Sequence, residues 1–176
     1  VVGHPNLAAQ YDLYHMARQG LDIQAGIALL AGRIGHVQFA DYPGRGAPGT
    51  GELHFAPLLK ANGGGALLNV LSVASWVNDG GLAAYSASKS AAWSLTNALR
   101  HELASQHTQV LGLHMAYVDT DLTRGFDVPK TSPEDIVQRA LDGLEAGADE
   151  VLADALTQQV HQALTAPRPF YLPQSH

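Results

Sequence analysis

Two short apolar runs, Ala66-Leu67-Leu68-Asn69-Val70-Leu71 and Val110-Leu111-Gly112-Leu113-His114, flank a long segment rich in small residues, and this order constrains the fold most. Apolar runs of that length read as strands buried on both faces, the pattern of parallel sheets. Two parallel neighbours need a crossover between them. The segment from Ala83 to Ser105 supplies one, with an apolar face through Leu95, Ala98, Leu99 and Leu103 at helical spacing. Here the chain must be α/β.

The same segment carries side chains that can move a proton. Tyr85 and Lys89 are four positions apart, so on a helix they share one face, one turn from each other. An ammonium held beside a phenol favours the phenolate. Ser72 closes the first apolar run, where its hydroxyl can hydrogen-bond a carbonyl or alkoxide oxygen. Each residue alone reads equally well as a half-buried aromatic, a solvated charge and a strand-end cap. Together they make a tyrosine acid/base, a lysine that tunes it and a serine that orients the substrate.

In this order they resemble the short-chain dehydrogenase/reductase family, whose signature is a serine followed by Tyr-x-x-x-Lys. The resemblance runs from about Phe55 to the C-terminus. It includes the filling Ser86-Ala87-Ser88, the continuation Ser90-Ala91-Ala92, and Gly64-Gly65 before the first strand. It continues in Tyr117-Val118-Asp119-Thr120-Asp121-Leu122, with Met115-Ala116 where the family usually has Pro-Gly. The resemblance implies a partial Rossmann-like parallel sheet and hydride transfer between NAD or NADP and a small carbonyl or alcohol. Catalysis would rest on Ser72, Tyr85 and Lys89. The cofactor would be held by Tyr85, Lys89, Thr120 and the backbone of Val118. It also implies self-association through helix 83–105. The family's glycine-rich pyrophosphate turn has no counterpart before Ser72, because Tyr42–Gly51 lacks a strand-turn-helix context and Gly63-Gly64-Gly65 abuts the serine's strand. Cofactor binding is therefore expected to be weak or absent.

The first third resembles a different family. Tyr11-Asp12-Leu13-Tyr14-His15, Arg33-Ile34-Gly35-His36-Val37-Gln38, Pro43-Gly44-Arg45 and Pro48-Gly49-Thr50-Gly51-Glu52 occur in the order found in hydroxypyruvate isomerase. That implies two βα units of a (β/α)8 isomerase barrel. Asp12 and Gln38 would be metal ligands, and His15 and Arg45 would hold the substrate. Oxygen ligands suit magnesium or manganese, yet two ligands are too few to retain a metal, so none is expected to bind.

The expected domains are residues 1–55, isomerase-like, and 56–176, the C-terminal part of a short-chain dehydrogenase, meeting near Phe55-Ala56-Pro57-Leu58. Three functions stay open: an incomplete NAD(P)-dependent oxidoreductase, a hydroxypyruvate or sugar isomerase, and a catalytically inactive chimaera. The opening Val1-Val2-Gly3, without an initiator methionine, fits a piece of a longer reading frame. A net charge of −6 without a basic cluster argues against nucleic acid, and the absence of cysteine excludes disulfides and fits the cytoplasm. No apolar run reaches the length of about 20 residues that spans a bilayer. Strands are expected over Ala9–Tyr14, His36–Ala40, Ala66–Ser72 and Val110–His114. Helices are expected over Asp22–Leu30, Ala56–Asn62, Ala83–Ser105, Pro133–Ala146 and Asp149–Leu164. The fourth has a start signal in Ser132-Pro133-Glu134-Asp135.

Overall fold

The structure is a computed structural model that describes residues 9–30, 33–38, 42–45, 51–53, 65–78 and 80–172, with the backbone alone for 35–38. The chain forms two compact units. One is drawn from residues up to Gly65 with Ser105–His107, the other from Ala66–Ala104 and from Thr108 onward.

In the first unit β1 (Ala9–Asp12) leads directly into α1 (Leu13–Arg18), and α2 (Ile23–Leu29) leads to β2 (Ile34–Gln38). The two strands are parallel and bring Asp12 opposite Gln38. The first strand is shorter than the expected Ala9–Tyr14. Asp12 ends it, because its carboxylate accepts the His15 amide at 3.0 Å and so caps the helix that begins at Leu13. Asp22 caps α2 in the same way, accepting from the Ala25 amide at 3.0 Å. Tyr11, Leu13 and Ile27 form the buried core, with Met16, Ile23, Leu30, Ile34 and Leu53 packed around them. Gly26 lets α2 lie on Tyr11, since a Cβ there would fall 2.0 Å from the Tyr11 hydroxyl. That hydroxyl donates to the Ile23 carbonyl at 3.1 Å. Burial, and then the nearby Asp22 carboxylate, push its pKa up.

The second unit contains β3 (Gly65–Val70), α3 (Ala83–Leu103), β4 (Thr108–His114), α4 (Pro133–Glu145), β5 (Glu150–Leu152) and α5 (Ala155–Ala163). The strands form one sheet in the order β3-β4-β5. The amides of Leu71 and Val73 donate to the carbonyls of Leu113 and Met115 at 2.8 and 2.9 Å, so the pairing continues in parallel beyond β3. β5 is parallel to β4, with Leu113 opposite Val151. Leu111, Leu113, Ile136, Ala140 and Ala153 make the core between the sheet and α4. Burying one leucine such as Leu111 is worth about 2 kcal/mol. The start of α4 follows the sequence: the Ser132 hydroxyl accepts the Asp135 amide at 3.1 Å, with Pro133 in the first turn.

The expected helix Asp149–Leu164 is instead a strand and a shorter helix. Gly147 (φ 70°) ends α4, with the amides of Gly147 and Ala148 turned back to the carbonyls of Leu144 and Gly143. Glu150–Leu152 then pairs with β4, and Asp154 caps α5 by accepting the Thr157 amide at 2.8 Å. The sheet's need for a neighbour beside β4 overrides the helical reading. The expected helix over 56–62 lies outside the described residues.

Candidate active site

β3 and α3 meet along a register that fixes where the proton-moving residues lie. Asn69 Nδ2 donates to Thr96 Oγ1 at 2.9 Å, Lys89 Nζ to the Val70 carbonyl at 2.9 Å, and Ser90 Oγ to the Ser75 carbonyl at 2.8 Å. The N-terminal part of the helix therefore passes over the C-terminal end of the strand. Small residues permit this close approach: Ser86 and Thr96 are buried between helix and sheet. Tyr85 stands one turn before Lys89, about 6 Å along the axis. Lys89 Nζ lies 5.8 Å from the Tyr85 ring centroid, and the ring is 45% exposed. The two therefore share a helix face, and the phenol remains open to solvent.

Ser72 is buried where β3 gives way to a short turn over Val73–Ser75. Its hydroxyl accepts the Ala74 amide at 3.1 Å, and as a hydroxyl it keeps its own proton to donate. Its carbonyl accepts the Ser75 amide at 2.9 Å.

The segment after β4 is held from two sides. The Ala116 amide donates to Asp154 Oδ2 at 2.7 Å, a carboxylate that also takes the Thr157 hydroxyl at 2.9 Å. Val118 forms a bridge with Thr131, in which the Asp119 amide donates to the Thr131 carbonyl and the Thr131 amide to the Tyr117 carbonyl. This leaves the Val118 peptide groups turned away from the bridge. The Val118 carbonyl accepts the hydroxyls of Thr123 and, at 3.5 Å, Thr120. Thr120 is exposed.

A nicotinamide end thus finds a lysine, a phenol, a hydroxyl and a backbone strand in this unit. A pyrophosphate finds less. In the first unit the amides that begin α1 and α2 are already engaged by Asp12 and Asp22, and those carboxylates would repel an anion.

In the first unit Asp12 is spent on its cap and lies 3.8 Å from His15 Nε2. Gln38 is opposite it at the end of β2, in backbone register. Among the described residues no group of three His, Asp or Glu side chains is placed to hold a metal. His15 and Arg45 are both drawn to Tyr14, at 5.3 Å ring to ring and 5.5 Å guanidinium to ring, with Tyr42 at 6.4 Å. Sequence reasoning missed Tyr14 as the centre of that group. It also missed Asp154, whose place as a helix start three residues before Thr157 was the available signal.

Comparisons with known proteins find relatives of both kinds. Residues 51–129 match the family model described as short chain dehydrogenase. A short-chain dehydrogenase from Burkholderia cenocepacia J2315, solved in complex with NADP, is 40% identical, with a TM-score of 0.60 over 64% of this chain and 47% of that one. A short-chain dehydrogenase from Sphingobium yanoikuyae in complex with NADPH is similar in fold, with a TM-score of 0.51 at 23% identity, over 68% of this chain and 52% of that one. Hydroxypyruvate isomerase of Escherichia coli (strain K12) is 48% identical over 59 residues, which are 34% of this chain and 23% of that protein. The chain spans about half the length of the solved dehydrogenases it matches and under a quarter of that isomerase. It resembles the short-chain dehydrogenase family in an α/β unit built on a three-stranded parallel sheet, and this is joined to a stretch resembling hydroxypyruvate isomerase.

Proposed function

We propose that the second unit carries the proton-transfer half of an NAD(P)-dependent oxidoreductase of the short-chain class, acting on a small carbonyl or alcohol. The observation that carries this is the 2.9 Å bond from Lys89 Nζ to the Val70 carbonyl. It fastens the Tyr85–Lys89 face to the strand end that runs into Ser72. In reduction Tyr85 gives its phenolic proton to the substrate oxygen, and in oxidation it takes that proton back. Lys89 stabilises the phenolate and reaches the nicotinamide ribose. Ser72 donates its hydroxyl hydrogen to the same substrate oxygen and so fixes its position. Thr120 and the Val118 backbone hold the carboxamide. The nicotinamide, when bound, supplies or accepts the hydride.

The exposed side of α3 carries Ala84, Ala87, Ala91, Ser94 and Ala98, a stripe that admits a second helix closely, and in this reading two copies associate there. The first unit is read as two βα units of a (β/α)8 isomerase barrel. The gathering of His15 and Arg45 on Tyr14 favours a remnant substrate contact there. A chimaera without turnover is the remaining reading, and the second unit's geometry would persist in it.

Reduced nicotinamide mononucleotide, which has no adenosine half, tests this best. Titrated calorimetrically beside NADPH, it is expected to bind about as weakly as NADPH, both above about 100 μM or about 5.5 kcal/mol. Lys89→Met is expected to weaken both. An NADPH constant well below that value would show a complete cofactor site. Mononucleotide binding untouched by Lys89→Met would remove the nicotinamide from this site.

A further inference from the structure

The bond from Lys89 to the Val70 carbonyl has a companion that the proposed reaction does not use. The next residue on α3, Ser90, donates from its hydroxyl to the Ser75 carbonyl at 2.8 Å. A serine or threonine inside a helix can satisfy its hydroxyl on a carbonyl of the preceding turn. Two other hydroxyls on α3 do so: Ser88 bonds back to the Tyr85 carbonyl at 2.7 Å and Thr96 to that of Ala92 at 2.8 Å. Ser90 instead leaves its own helix and reaches the turn that follows β3. That turn begins at Ser72.

Lys89 and Ser90 thus grip the chain on either side of Ser72, at Val70 before it and at Ser75 after it. Between the two grips the turn is closed by its own bonds. The Ser75 amide donates to the Ser72 carbonyl at 2.9 Å, and the Ala74 amide to the Ser72 hydroxyl at 3.1 Å. Ser75 is therefore bonded at both ends of its backbone, to Ser72 through its amide and to α3 through its carbonyl. Ser72 and Ser75 are 5% and 4% exposed, and at so buried a place a backbone carbonyl left without its donor is costly. On the sheet side the Val73 amide donates to the Met115 carbonyl at 2.9 Å. The following residue, Trp76, packs edge-on against Trp93 of α3 at 6.2 Å and stacks on His114 of β4 at 4.1 Å. Those contacts hold the Trp76 ring, whereas the Ser90 hydroxyl holds the backbone of the turn.

We propose that Ser90 is a positioning residue for Ser72: its hydroxyl fixes the turn on α3 and so sets the Ser72 hydroxyl against the Tyr85–Lys89 face. This rests on the reading above, in which Ser72 and Tyr85 meet one substrate oxygen. Two donors on different elements must then converge on a single atom, and each hydrogen bond weakens steeply away from its best geometry. Without the Ser90 hydroxyl, Lys89 still holds the strand end. The turn beyond it is then free to rock about Val73, and it carries the Ser72 hydroxyl with it.

The test uses the full chain with Ser90→Ala, Ser90→Thr and, as a control, Ser88→Ala, whose hydroxyl bonds within α3. Amide hydrogen exchange followed by NMR needs neither cofactor nor turnover. In Ser90→Ala the Ala74 and Ser75 amides should exchange about tenfold faster relative to the Leu71 amide, as the loss of one buried bond requires. Ser90→Thr, which keeps a hydroxyl, should restore them, and Ser88→Ala should leave them unchanged. Reduction of acetone by NADPH gives the second readout. There kcat is expected to fall about tenfold in Ser90→Ala with the KM for NADPH unchanged, because the residues that meet the nicotinamide stay in place. Unaltered exchange at Ala74 and Ser75, equal acceleration in Ser88→Ala, or no rescue by Ser90→Thr would overturn the proposal. So would faster exchange with an unchanged kcat. A chain that shows the exchange pattern and never reduces the ketone would sink the oxidoreductase reading and leave the hold of Ser90 on Ser72 standing.

Discussion

At Glu150 the direction of one ionisation makes a testable statement. His114 chiefly, and then Trp93 and Arg100, hold its carboxyl at about 2, against the opposing effect of burial and below the ordinary 4.5. A carboxylate depressed in the folded state adds stability above its unfolded value and loses it as the pH falls through the folded one. Stability measured by urea unfolding should therefore fall from about pH 4.5 towards about pH 2, by on the order of 2 kcal/mol. Glu150→Gln should flatten that fall and cost about 1–3 kcal/mol near neutrality. Unchanged acid sensitivity in the variant would show that other carboxylates dominate. The placement of Tyr85 and Lys89 on one helix, and of Ser72 just past the end of the neighbouring strand, was legible in the sequence because helical spacing and an apolar run fix it. His114, Glu150 and Asp154 were not, since their roles arise only when β4 and β5, far apart in the chain, become neighbours. Asp12 and Gln38 were legible as strand-end residues; that Asp12 is committed to a cap depended on a helix starting at Leu13.

For the elements, Gly143 sets two effects against each other. Alanine in place of glycine inside a helix favours the helix by about 0.5–1 kcal/mol. At Gly143 a Cβ would sit 2.3 Å from Val151 Cγ2 and 3.2 Å from Leu111 Cδ1. Valine is stiff at χ1 and cannot turn aside, so α4 or β5 must shift, at about 1–3 kcal/mol. The clash wins: Gly143→Ala is expected to lower the denaturation midpoint, and a rise would mean that α4 packs more loosely than described. Asp154 gives a second case. Asp154→Ala removes the cap of α5 and the acceptor for Ala116. It should cost about 1–2 kcal/mol and speed hydrogen exchange at the Ala116 and Thr157 amides. Exchange unchanged at Ala116 would detach that loop from α5. β3, α3, β4 and α4 were readable because apolar run, small-residue helix and cap signals agreed. β5 was hidden, being three residues long and spliced between helices, and only the Gly147 stop and the Asp154 start marked it.

Across the whole molecule, the chain divides into two compact units, each with its own buried core. Association through α3 would appear in sedimentation velocity as a species heavier than the 18.6 kDa chain. Ala91→Arg, which sets a long charge in the middle of the small-residue stripe, should return it to monomer. A dimer that survives the change must use another face. Metal linkage tests the first unit: millimolar magnesium or manganese should leave the melting temperature unchanged, because a ligand stabilises only what it binds. A rise abolished by Asp12→Ala would restore the isomerase site. Among the described residues no helix is long and apolar enough to cross a membrane. Lys89 has one further consequence at this scale. Its bonding partner is a neutral peptide carbonyl, and among the described residues no carboxylate lies within ion-pair distance of it. Among the described residues no contact ion pair neutralises its charge, in a protein whose net charge is −6. An approaching anion would be repelled by the molecule at long range and drawn in near Lys89, so added salt should speed capture by screening the first effect until it begins to weaken the second.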